Sequence, residues 1–239
     1  MNIGLIQSSG LGDIVIALPI ARAYYEQGHH IHWPIYESHL KSFQQAAPWV
    51  NWYGVVEDGT VGPMYRVPLE LLRTKVDQVI CLYHYLRDPE YAADPALAAV
   101  LKFDQYKYAV AKVPFYEKWN LARCLIRNRE REKLLFDSMV HQEKYAVAHL
   151  DGHDESRDFD FAPAIRRGYQ IIRISKATES LFDWLAILEG AGTLVMIDSV
   201  FSNLVDQLSI GARVPKIFLR RSHNRVSMTP VMLGHWLYR

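Results

Sequence analysis

The chain is poor in cysteine, in long apolar runs and in excess charge of either sign. Cys81 and Cys124 are its only cysteines. Cys81 lies in an apolar run, which argues against a disulfide framework and fits a reducing compartment. No apolar run approaches the roughly 20 residues needed to span a bilayer. The N-terminus lacks the basic region and apolar stretch of a secretory signal. A soluble cytoplasmic protein is the expectation. Lys and Arg total 27 against 26 Asp and Glu, a net charge of +1. That balance leaves no electrostatic footprint for nucleic acid over the whole molecule, although a local basic patch stays open. No period of 20 to 50 residues repeats clearly, so a solenoid is excluded. Apolar residues are plentiful: half of the 239 positions, enough for one large or two small α/β domains.

The most informative stretch is Gln7-Ser8-Ser9-Gly10-Leu11-Gly12-Asp13. It follows a short apolar run (Ile3, Leu5, Ile6) and precedes apolar residues at helical spacing (Ile14, Leu18, Ala21, Tyr25). Strand, glycine turn, helix is the opening of an α/β ligand-binding unit. Gly10 and Gly12 let the backbone turn and leave room for a ligand near the main chain. A dinucleotide fingerprint is rejected, because its third glycine would fall where Val15 stands. A carboxylate would also repel a pyrophosphate at the helix start. Asp13 falls at the first helical turn, where open α/β sheets hold their ligands. The residues leave two readings open, a helix cap and a proton acceptor.

Further along, strands are expected over 30–35, 50–56, 78–83, 145–150, 169–174, 193–197 and 216–219. Pro34 demotes the end of the second strand to an edge or exit. Pro19 should kink the first helix or mark a second start. The continuous apolar run Val79-Ile80-Cys81-Leu82 suits a central parallel strand. Helices are expected over 37–47, 70–74, 179–189 and 201–208, and residues 88–99 read as a loop followed by a short helix. The Arg-Glu run within 119–136 reads as a solvated helix face. The aromatic and basic residues of 112–120 favour packing between domains over gripping a sugar or base. The boundary between the halves falls near residues 140–143, giving domains 1–141 and 142–225 with a tail over 226–239.

The second half carries a longer pattern. Lys176-Ala177-Thr178-Glu179-Ser180-Leu181-Phe182-Asp183-Trp184 opens a helix, and Leu194-Val195-Met196-Ile197-Asp198-Ser199-Val200-Phe201-Ser202-Asn203-Leu204 follows. Together they resemble the C-terminal domain of glycosyltransferase family nine, the ADP-heptose:lipopolysaccharide heptosyltransferases. The turn Gly10-Leu11-Gly12-Asp13-Ile14-Val15, with Leu18-Pro19, is similar to the N-terminal Gly-Asp motif of that family. The resemblance covers the two ends of the chain well and residues 61–140 poorly. It implies an α/β, GT-B architecture: two Rossmann-like domains with parallel sheets facing a cleft, the C-terminal one reduced here. The tail of such chains returns to the N-terminal domain.

The same resemblance implies an inverting, metal-independent transfer from a nucleotide-sugar donor, with no cofactor. Asp13 would be the general base. The donor would be held by Gly10, Gly12, Arg157, Ser175, Asp198, Ser199, Val200, Ser202 and Asn203, with helix-start amides facing the diphosphate. Val200 stands where the family has glycine, and Asn203 where it has histidine. The acceptor would be a glycan, a lipopolysaccharide-like glycan or a modified nucleobase, and nucleic acid is not favoured by the near-neutral charge. The alternative function is a non-catalytic nucleotide- or glycan-binding module of the same fold. An NAD-dependent oxidoreductase is a poor third.

Two other stretches remain. His149-Leu150-Asp151-Gly152-His153-Asp154 is suggestive of a metal site but reads better as a loop at a strand's carboxyl end. Arg220-Arg221-Ser222-His223-Asn224-Arg225 is a basic loop that suits a phosphate, an anionic acceptor or plain solvent. Oligomeric state is left open.

Overall fold

The structure, a computed structural model, describes residues 1–60, 62–85, 93–152, 155–222 and 228–239. It comprises two compact units, Met1–Ile126 with Arg225–Val231, and Arg127–Asn224 with Met232–Arg239.

The first unit opens with β1 (Asn2–Ile6), α1 (Leu11–Glu26), β2 (His30–Tyr36), α2 (Glu37–Ala46) and β3 (Asn51–Val55). It continues with α3 (Arg66–Leu72), β4 (Gln78–Cys81), α4 (Pro95–Val100), α5 (Phe103–Val110) and a 3-10 helix over Phe115–Cys124. Its strands are all parallel in the order β3-β2-β1-β4. The apolar run predicted as β1 is buried because β1 lies inside the sheet. Helix α1 buries every side chain from Ile14 to Ala21, so its first half is core on all faces.

Two expectations change here, and one about Pro34 holds. Helix α1 runs unbroken through Pro19; Tyr108 of α5 donates to the Ile16 carbonyl at 2.8 Å and supports the helix near the missing proline N–H. Strand β2 lies inside the sheet, but its end at Pro34 is an edge, as expected. Its pairing with β1 stops at His32, so Pro34 pairs only with Tyr53 of β3 and needs no donor toward β1. Strand β4 is peripheral, not central, among the described residues. Its apolar run arises from packing: Leu69, Leu72 and Tyr83 form a buried cluster with Ile6, and Val79 and Cys81 pack against it. Residues 88–92 of the expected loop lie outside the described residues; Asp94 then caps α4 by accepting from the Ala96 and Leu97 amides. Two aromatics of the 3-10 helix pack inside this unit, Phe115 lying edge-on to Tyr108 and Trp119, while Tyr116 is exposed.

The second unit contains α6 (Arg129–Met139), β5 (Tyr145–His149), α7 (Ala162–Arg166), β6 (Gln170–Arg173), a 3-10 turn Leu181–Trp184 and α8 (Leu185–Gly190). Then come β7 (Thr193–Ile197), α9 (Val200–Gln207), β8 (Lys216–Leu219) and β9 (Leu237–Tyr238). Its parallel order is β6-β5-β7-β8-β9.

The units divide at Ile126/Arg127, upstream of the expected 140–143, because α6 belongs to the second core. Arg131 pairs with Asp183 at 2.8 Å, and Arg127 bonds both Glu132 and Glu189. Glu132 is buried. The charge run is therefore split: Arg127, Arg131 and Glu132 pack on the second core, whereas Arg129, Glu130 and Lys133 are exposed, as a solvated face requires. The tail also departs from expectation. Residues up to Val231 group with the first unit, whereas Met232–Arg239 group with the second. There the buried Asp206 carboxylate accepts from the Leu233 and Gly234 amides and from Trp236 Nε1, and β9 extends the sheet.

A buried ion pair anchors α5 to the 3-10 helix in the first unit. Lys118 Nζ lies 2.7 Å from Asp104 Oδ2, both side chains inaccessible to solvent. The Val231 amide donates to the same oxygen at 2.7 Å. Removing one partner strands a buried charge. Lys118→Ala is expected to lower the unfolding free energy by about 3–5 kcal/mol, read from urea denaturation; a loss below about 1 kcal/mol would show that the pair is not intact.

Candidate functional site

In a parallel sheet all strands end on one edge, and ligands gather where neighbouring strands diverge in their connections. In the first unit that point lies between β1 and β4. Asp13 sits there, in the first turn of α1. Gly10 has φ of +77°, a conformation that a side chain disfavours, and a Cβ there would come within 2.7 Å of Asp13 Oδ2. The turn rests on Gly10; Gly12 adopts no positive φ. Gly10 thus both makes the turn and leaves space for the carboxylate. Asp13 does not act as the side-chain cap of α1, whose N-terminus carries none.

Asp13 Oδ1 is 2.8 Å from Lys107 Nζ, with the lysine 1% and the aspartate 35% exposed. Lys107 also donates to Gln7 Oε1 at 2.6 Å and to the Leu82 carbonyl at 3.3 Å. The Gln7 amide is oriented by its own donation to the Ser9 carbonyl, 2.9 Å. From the end of β4, Tyr83 accepts from the Ser8 and Ser9 amides at 2.9 and 3.1 Å. Burial pushes the Tyr83 phenol up to about 12, so it stays protonated and its hydroxyl meets Ser9 Oγ at 3.1 Å. Burial lowers the pKa of His84, Lys107 acting in the same direction and Asp13 against it. Neither Lys107 nor Tyr83 was identifiable as a site residue. Lys107 stands among Tyr106, Tyr108 and Phe103, and nothing in that spacing marks a lysine as buried.

In the second unit the switch point lies between β5 and β7. His149 ends β5, Asp198 and Ser199 follow β7, and His149 Nδ1 shares a 2.9 Å hydrogen bond with Ser199 Oγ. Its ring packs 4.8 Å from Phe201. The backbone of the Ser199 turn is braced from α9. Ser202 Oγ accepts from the Ser199 amide and donates to its carbonyl, and Asn203 Nδ2 donates to that carbonyl at 2.9 Å. Ser202 is thus committed to holding the turn. Asn203 Oδ1 is buried without a partner among the described residues. Val200 is the first residue of α9, and its helical backbone does not call for glycine.

Arg221 Nε donates to the Asp198 carbonyl at 2.9 Å. Arg157, the expected phosphate cation, is turned to the protein: it donates twice to the Arg220 carbonyl and pairs with Glu155 at 2.8 Å. Ser175 is exposed beyond β6, at the far side of the sheet from β7. Asp198, Ser199, Val200, Ser202 and Asn203 are therefore gathered at one turn, with His149 and Arg221 as members that sequence reasoning did not assign. Among the described residues no three His, Cys, Asp or Glu side chains assemble a metal site; His153 and Asp154 of the suspected cluster lie outside them.

His149 provides a pH signature. Burial lowers its pKa from 6.5 to about 4, with Arg221 acting in the same direction and Asp151 against it. The unfolded chain therefore takes up this proton first. The stability it contributes is complete above about pH 6.5 and is lost as pH falls toward 4. His149→Asn is expected to flatten the acid side of the stability curve; urea midpoints at pH 7 and pH 5 that fall equally in both proteins would refute this.

No protein-family model and no curated protein matches the sequence. Solved structures do. A glycosyl transferase of family 9 from Veillonella parvula superposes with a TM-score of 0.65 at 15% identity, covering 99% of this chain and 86% of the other. The E. coli heptosyltransferase WaaC, solved with ADP-2-deoxy-2-fluoro heptose, gives 0.59 at 13%, covering 100% and 93%. E. coli ADP-heptose lipopolysaccharide heptosyltransferase II gives 0.55 at 11%, covering 100% and 90%. The chain thus has the α/β GT-B fold of the family 9 glycosyltransferases, with a parallel, Rossmann-like sheet in each of its two units.

Proposed function

We propose that the chain is a glycosyltransferase that moves a hexosyl or heptosyl group from a nucleotide sugar to an acceptor hydroxyl with inversion. The observation that carries this reading is Asp13: a partly exposed carboxylate at the carboxyl end of β1, one oxygen held and the other without a partner among the described residues, on a unit with a glycosyltransferase fold. Asp13 takes the acceptor's proton as the acceptor oxygen bonds to the anomeric carbon. The bond from that carbon to the diphosphate breaks, and the nucleoside diphosphate leaves with the electron pair. Attack opposite to the leaving group inverts the centre. Base assistance of this kind is worth about 10²–10⁴ in rate.

The donor belongs to the second unit. The Val200 and Phe201 amides at the start of α9 offer positive potential for a diphosphate, and the Ser199 turn is held rigid for it. Asp198, buried and repulsive to phosphate, serves the turn or sugar hydroxyls. In this reading the helix start and the cations of the loop meet the leaving group's charge without a metal. The E. coli TibC structure, described as iron-containing, is the contrary case among the structural neighbours, with a TM-score of 0.54 at 11% identity over 91% of this chain and 57% of that one. The acceptor is a glycan or another hydroxyl-bearing molecule. A module that only binds its ligand is the second reading, favoured by the commitment of Arg157 to Arg220 and Glu155.

Screening ADP-, UDP-, GDP- and dTDP-sugars, ADP-heptose included, for diphosphate release with lipopolysaccharide or water as acceptor tests the class. Asp13→Asn is expected to cut turnover by at least about 100-fold and leave donor binding within about twofold, as read by calorimetry. Full turnover in Asp13→Asn would remove the base; binding without any release would favour the module. Chelation with EDTA is expected to leave turnover unchanged.

A further inference from the structure

Lys107 is a buried group of the first unit that touches Asp13 and that the proposed reaction does not yet use. It lies in α5, 1% exposed, and its ammonium has three protons. Three acceptors receive them: Asp13 Oδ1, Gln7 Oε1 and the Leu82 carbonyl, at 2.8, 2.6 and 3.3 Å. These come from the start of α1, the end of β1 and the segment after β4. Two of the acceptors are themselves fixed. The Leu82 amide continues the β1–β4 ladder by donating to the Ile6 carbonyl. Gln7 is held through its backbone carbonyl by Trp33 Nε1 at 3.1 Å, and through its side-chain amide by the Ser9 carbonyl. Helix α5 is pinned to α1 by the Tyr108–Ile16 bond.

Burying an ammonium is costly, and a buried ion pair returns little net stability compared with an apolar replacement. A lysine aimed at a carboxylate that is one-third exposed therefore calls for another account. The geometry distinguishes the two carboxylate oxygens. Oδ1 is locked by Lys107, whereas Oδ2 faces Gly10, where even a methyl group would collide.

We propose that Lys107 is a positioning residue for Asp13: by gripping Oδ1 it fixes the carboxylate plane and leaves Oδ2 as the atom that receives the acceptor's proton. This rests on Asp13 being the base and adds the residue that aims it. The proton moves from the acceptor hydroxyl to Oδ2, while the Lys107 protons stay on nitrogen and remain shared with the same three acceptors.

The test is Lys107→Met, close in volume and uncharged, assayed for nucleoside diphosphate release with the nucleotide-sugar panel and lipopolysaccharide or water as acceptor. Expected is a fall in kcat of about 10–100-fold, the scale of a misplaced catalytic group, with donor Kd by calorimetry within about twofold. A kcat within threefold of wild type, or a donor Kd that rises in step with the loss, overturns the proposal. If Lys107→Met does not fold, Gln7→Leu removes a second anchor of the ammonium and is judged by the same split, with a several-fold loss in kcat expected. Asp13→Asn run alongside separates the two ideas. If Asp13→Asn is active, the base reading fails and takes this one with it. If Asp13→Asn is dead while Lys107→Met keeps wild-type kcat, only the role of Lys107 fails. A wild-type protein silent against the whole panel overturns both.

Discussion

Parallel strands cannot be joined by tight turns. Each needs a crossover, and every crossover begins on the same edge of the sheet. This constraint organises each unit. Polar residues that a two-sided apolar core would reject are collected at the carboxyl ends, where the backbone leaves the sheet. In the first unit the order β3-β2-β1-β4 makes the ends of β1 and β4 neighbours, so Ser8, Ser9, Asp13, Leu82 and Tyr83 meet. In the second, the order β6-β5-β7-β8-β9 does the same for His149 and Ser199.

Buried polar groups in this protein are mostly spent on fixing backbone. Asp104 and Lys118 hold the 3-10 helix and the Val231 amide. Asp206 holds three donors of the final segment. Ser202 and Asn203 brace the Ser199 turn. A satisfied buried network of this kind gains rigidity more than stability, because each bond replaces one to water. Asp13 differs in having one oxygen committed and the other without a partner among the described residues. That asymmetry, at a strand end and beside a glycine that clears space, is what the proposed role of Asp13 rests on.

Much of the architecture was legible in the chain. Period-two and continuous apolar segments marked strands at nearly all observed positions, and Gly10 with Asp13 marked the first candidate turn at a strand's carboxyl end. Asp198 and Ser199 marked the second. Local rules failed where a distant neighbour changed the meaning of a residue. The Arg-Glu run reads as solvated, yet Asp183 and Glu189 draw Arg131 and Arg127 onto the second core and leave only the rest exposed. Arg157 reads as a free cation, yet the Arg220 carbonyl takes it.

The amino-acid order alone determined the alternation of strands and helices, the left-handed turn that only Gly10 makes easily, and the two acidic turns, since all of these rest on neighbours a few residues apart. Only the tertiary structure decided which cation meets Asp13 and which imidazole meets Ser199. Lys107 reaches Gln7 across 100 positions of chain, and His149 reaches Ser199 across 50. Contacts of that range follow from the strand order and the packing of α5 on α1, and no spacing along the chain encodes them.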